Sequence, residues 1–107
     1  MERMVEHIQD GVIRMTCHGP GDEAAIAALG AKRSGVMRTR WEVAYGTDEE
    51  LAHALGRLRD AGFAFAGGQA GWPPAAIFEQ LRARGLVEGP FTEVTWLGPG
   101  KPVFTTK

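Results

Sequence analysis

Cys17 is the single thiol of the chain. It heads the run Cys17-His18-Gly19-Pro20-Gly21-Asp22-Glu23, where a strand should hand over to a helix. A helix N-terminus lowers the pKa of a nearby thiol and attracts anions, so nucleophilic chemistry would be sought here first, with His18 as neighbour. The Cys-five residues-Arg spacing of a phosphatase-type thiolate is missing. Alternation along the preceding strand also sets Cys17 on an apolar face, where a thiol serves as a small hydrophobe. A small enzyme built on Cys17 and His18 therefore ranks last of three functional readings, and no catalytic residue is assigned.

Two further patterns have the composition of a site without its spacing. His7, His18 and His53 stand near Cys17, Asp22 and Glu49, but no pair has the interval of a metal motif. His53 follows Glu49 by one helical turn, which suits an exposed helix pair. No metal and no cofactor are expected. Gly67-Gly68-Gln69-Ala70-Gly71-Trp72-Pro73-Pro74 leads into a helix and invites a phosphate reading. It lacks the Lys-Ser/Thr of a P-loop, and the two prolines remove N–H donors an anion would use. The glycines Gly67, Gly68 and Gly71 suit a tight strand-to-helix turn that holds Trp72 on a hinge.

The strongest local charge is Lys32, Arg33, Arg38 and Arg40, on a loop and the outward face of one strand. Such a basic face could meet nucleic acid or an acidic protein, although Glu42 offsets part of it. Of Trp41, Trp72 and Trp96, the first and last are expected as core or sheet-face anchors. Trp72, on a glycine turn, suits an interface, where tryptophan is enriched among the residues that carry binding energy.

The final third resembles the tail of PadR-like and MarR-like winged-helix regulators: a helix from Pro74 to Arg84, then Gly85-Leu86-Val87-Glu88, then a hairpin ending Val103-Phe104-Thr105-Thr106. The resemblance implies a recognition helix followed by a wing over residues 73–106. The chain departs from that pattern in placing a glycine loop where a second helix should precede. Its helix also offers only Arg82 and Arg84 to phosphates.

The elements that must position these residues follow from periodicity. Asp10-Gly11 between two β-prone runs predicts a hairpin, with Gln9 facing Val12, Ile8 facing Ile13, Glu6 facing Met15 and Met4 facing Cys17. That register collects Met4, Ile8, Ile13, Met15 and Cys17 on one face, and Glu6 is its discordant member. Asp22 to Gly30 predicts a short helix, and Ala31 to Gly35 a polar loop. Met37 to Tyr45 alternates as a half-buried strand, taken as the central one. Thr47-Asp48-Glu49-Glu50 is a capping box opening a helix whose stripe is Leu51, Ala54, Leu55, Leu58 and Ala61. Phe63 to Ala66 predicts a strand, and the helix after Pro73 should bury Ile77, Phe78 and Leu81. Phe91 to Leu97 and Pro102 to Thr106 predict a second hairpin packing through Val94, Trp96, Val103 and Phe104. Pro102 marks its last strand as an edge.

The expected fold is α+β. One mixed sheet of about six strands, in the order ββαβαβαββ, carries three helices mainly on one face, all in a single domain over 1–107. With 107 residues, 44% of them hydrophobic, such a chain can build one core without staples. A net charge of −1 creates no global field toward nucleic acid or membrane. One cysteine and a charged opening, Met1-Glu2-Arg3-Met4, point to a cytoplasmic protein with no membrane partner. With no reacting group set aside, the first-ranked function is a small non-catalytic binding protein of inhibitor, immunity or adaptor type that docks on another protein. Its surface would be Trp72 with Gly67, Gly68 and Gly71, then Lys32, Arg33, Arg38 and Arg40. Nucleic-acid binding ranks second, and a homodimer through an open sheet edge would be compatible with either.

Overall fold

The computed structural model describes residues 3–16, 24, 26–33, 40–67 and 73–107. Over these residues the elements are β1 (Met4–Gln9), β2 (Val12–Thr16), β3 (Lys32–Arg33), β4 (Arg40–Ala44), α1 (Asp48–Asp60), β5 (Ala64–Ala66), α2 (Pro74–Ala83), β6 (Thr92–Trp96) and β7 (Pro102–Thr106). All strands join one sheet in the order β3-β4-β2-β1-β5-β6-β7, with β1–β5 and β5–β6 parallel and the other pairs antiparallel. The fold is therefore α+β with one mixed sheet, as expected, but with seven strands and two helices among the described residues. The extra strand is Lys32–Arg33, read from sequence as loop, which two cross-strand partners on β4 hold extended. Of the expected first helix, Ala24, Ile26 and Ala27 are helical; the rest lies outside the described residues.

The first hairpin turns on Asp10 and Gly11, with φ of 54° and 77°. Positive φ at both central positions gives the turn whose twist matches the flanking strands. Gln9 faces Val12 and Ile8 faces Ile13 as expected, but the register slips between Val5 and His7, so that Val5 faces Met15 and Met4 faces Thr16. The expected Glu6–Met15 pair is corrected by this β-bulge. An extra residue moves the carboxylate out of the pairing and returns Val5, which is fully buried, to the core face beside Met15.

Helix α1 begins where its sequence says. The Thr47 hydroxyl accepts from the Glu50 amide at 3.1 Å, and the Glu50 carboxylate accepts from the Gly46 amide at 3.1 Å. Leu51, Ala54, Leu55 and Leu58 are buried, and Glu49, His53, Arg57 and Asp60 are exposed. Helix α2 starts on Pro73 and Pro74 and buries Phe78 and Leu81, with Ile77 half-buried. Both helices join one core with Val5, Ile13, Met15, Val43 and Phe65 of the sheet. They therefore cover a single face. No helix among the described residues is long and apolar enough to cross a membrane.

The strand containing Trp41 is not central. β4 is second from one edge, flanked by β2 and the two-residue β3, and the middle place belongs to β1. Alternation reports that one face is buried, not how many neighbours a strand has. The chain leaves β4, passes through α1 and enters β5 beyond β2 and β1. It then makes its adjacent parallel crossover through α2 into β6.

Candidate docking surface

The second hairpin closes through the turn at Gly98 to Gly100, where the Lys101 amide donates to the Gly98 carbonyl at 3.0 Å. Val94 of β6 is fully buried, as its alternation suggests. Its expected companions are not: Trp96 is 48% exposed, Phe104 49% and Val103 36%, and Leu97 beside them is 80% exposed. The expectation that Trp96, Val103 and Phe104 pack is thereby corrected. The cause is position, because β7 is the sheet's last strand and α2 lies mainly against β1 and β5. Val94 faces Phe104 and Trp96 faces Pro102. With Val94 paired to Ala66, one step from core-facing Phe65, Trp96 and Phe104 share the face turned away from the helices. Pro102 does mark an edge.

At its base the hairpin is held by two arginines, of which the sequence singled out only Arg82, and for another role. Arg59 of α1 donates from Nη1 to the Glu88 carbonyl and, at 3.4 Å, to that of Pro90. Its Nε donates to the Asp60 carboxylate at 3.1 Å, and its guanidinium lies 5.8 Å from the Phe78 ring centre. Arg82 of α2 donates to the Gly89 and Lys107 carbonyls, each at 3.0 Å, with its guanidinium 5.3 Å from the Phe91 ring centre. Below them Phe65, Phe78 and Phe91 pack with centroids 4.5 to 5.9 Å apart. Gly89 has φ of 94°, and a Cβ there would lie 2.8 Å from Arg59 Nη1. Arg84 is paired with Asp48 at 2.7 Å. Both cations that the winged-helix resemblance would turn to phosphates are thus engaged within the chain.

The Lys107 ammonium meets the Glu93 carboxylate at 3.1 Å, and this hydrogen bond and charge hold its pKa above the ordinary lysine range. The pair's contribution is complete below that range and is lost as pH rises through the raised value. Glu93 also explains Gly67. Its carboxylate oxygen would lie 2.7 Å from a Cβ at that position, so any other residue would oblige the Glu93 side chain to move. Gly68, Gly71 and Trp72, and with them the expected indole surface, lie outside the described residues.

The basic candidates divide between faces. Lys32 and Arg40 are exposed on the face away from the helices, where Arg14 pairs with Glu42 at 2.9 Å directly across the strands. Arg33 turns the other way, its guanidinium 5.2 Å from the Trp41 ring centre. Arg38, Cys17 and His18 lie outside the described residues. Trp41 is half-buried against the core, as expected of an anchor. Its Nε1 is enclosed with no acceptor among the described residues.

A broad cleft of about 460 Å³ lies beneath the hairpin between Arg59, Phe63, Pro90 and Thr106. Its guanidinium is already committed to carbonyls. Among the described residues no three His, Cys, Asp or Glu side chains are grouped to hold a metal ion. Comparison with protein-family models, curated proteins and solved structures returns no match.

Proposed function

We propose that this chain is a small non-catalytic binding protein of inhibitor, immunity or adaptor type that docks on another protein in the cytoplasm. One observation carries the reading. Among the described residues, every large hydrophobic side chain left exposed lies on the β6–β7 hairpin: Trp96, Leu97, Val103 and Phe104. Scattered exposed hydrophobics are ordinary, but their concentration at one edge, with a tryptophan among them, marks a contact surface.

Affinity purification from the native host tests this, comparing wild type with the Trp96→Ala, Phe104→Ala double variant. Loss of a bound protein by at least about 30-fold is expected, since central aromatic contacts are worth about 2 kcal/mol or more. A protein captured equally by both forms would move the surface elsewhere, with the Trp72 turn next in order. Turnover of any small molecule by the purified chain would end the non-catalytic reading.

A nucleic-acid reading keeps one observation in its favour, the sharing of one sheet face by Lys32 and Arg40. It requires retention on heparin that falls steeply with salt and with Arg38→Ala combined with Arg40→Ala.

A further inference from the structure

Among the described residues the sheet ends in two edges of unlike character. β3 offers two residues, both cationic, which is how natural sheets blunt an edge. β7 offers five residues with apolar side chains on both faces.

The phase of the β7 ladder can be read from its ends. The Leu97 amide donates to the Lys101 carbonyl at 3.1 Å, and the Lys107 amide to the Phe91 carbonyl at 2.8 Å. Backbone groups alternate sides along a strand, so Lys101, Val103, Thr105 and Lys107 point theirs inward to β6. Pro102, Phe104 and Thr106 point theirs outward. Proline thus occupies a position where its missing N–H costs the sheet nothing, while its carbonyl remains available.

We propose that this edge receives an extended segment of the partner protein as an eighth strand, with an apolar residue beside Phe104 and an acidic one near Lys101. The proposal rests on the protein-docking reading and names its mode. Charge selects this occupant over a second copy paired about Phe104. Two copies pairing antiparallel about Phe104 would set Pro102 opposite Thr106, leaving the Thr106 carbonyl of each without a donor. They would also set Lys101 opposite Lys107, and like charges directly across strands repel. Lys107 is already engaged by Glu93, whereas Lys101 has no ion-pair partner among the described residues. A foreign strand meets the same missing donor at Pro102, but it can bring the carboxylate that Lys101 can take.

The test uses the full chain and random twelve-residue peptides displayed on phage, the winner then being synthesised. Selected peptides should alternate apolar and polar residues and carry Asp or Glu at one flank. The synthetic peptide should slow amide exchange at Phe104 and Thr106. Thr106→Pro removes an outward N–H that β6 does not use, so the variant should fold and bind about ten-fold more weakly. Lys101→Glu, which cannot disturb the ladder, should weaken binding about three-fold. No enrichment, basic-flanked winners, or protection mapped to another surface overturns strand addition. Of these, protection elsewhere leaves protein docking standing, and the affinity purification decides that reading separately. A wild type that sediments as a dimer, and a Thr106→Pro variant that does not, overturns the foreign strand in favour of a second copy.

Discussion

Arg59 and Asp60 are neighbours at the end of α1, both charged, and their surroundings differ. Asp60 is exposed, whereas the Arg59 guanidinium is directed at the carbonyls of Glu88 and Pro90 and lies near the Phe78 ring. The planar guanidinium holds the Asp60 carboxylate on Nε while Nη1 serves the two loop carbonyls, a spread of donors that the single nitrogen of an ammonium does not copy. Arg59→Ala should therefore lower stability by about 1.5–3 kcal/mol, the range for hydrogen bonds to charged groups. Arg59→Lys should recover little of it. Chemical denaturation of the three proteins checks this, and equal midpoints for wild type and alanine would remove the clasp from the account. Nothing in the helical pattern separates Arg59 from a wet-face residue, because its partners lie some thirty positions away in sequence and are backbone atoms.

At the scale of the element, the first hairpin shows how a local pattern comes close and then slips. Asp10-Gly11 dictated the turn, and the turn dictated the first three pairs. Beyond them the uniform register placed Glu6 among apolar side chains, and the misfit was itself the trace of the bulge. The bulge puts Val5 in the core and Glu6 in the irregular position. Val5→Ala should then cost about 1–3 kcal/mol, and Glu6→Ala less than about 0.5 kcal/mol. The uniform register puts Val5 on the polar face and predicts almost no loss for Val5→Ala, so thermal unfolding of that variant decides between them. The capping box of α1 and the proline start of α2 needed no such correction, because their partners lie within one helical turn.

Over the whole molecule the unequal treatment of the sheet matters most. Two helices cover one face near its middle, and the hairpin at one edge lies beyond their main packing. Two aromatic residues of similar character should therefore behave very differently. Phe78→Ala, at the centre of the aromatic trio, should cost about 3–5 kcal/mol. Trp96→Ala should cost under about 1 kcal/mol, since half of its surface already meets solvent. Comparable losses would mean that Trp96 belongs to the core and would remove the exposed-hairpin surface. By itself the sequence determined the class of fold, both helices, the two hairpins and the edge character of β7, because turns, caps and alternation act within a few residues. Only the tertiary structure decided that β1 takes the centre, that Arg59 and Arg82 are clasps, and that Trp96 and Phe104 stay bare. Each of those outcomes depends on which element the crossovers bring alongside, and periodicity records that a face is apolar without recording whether anything covers it.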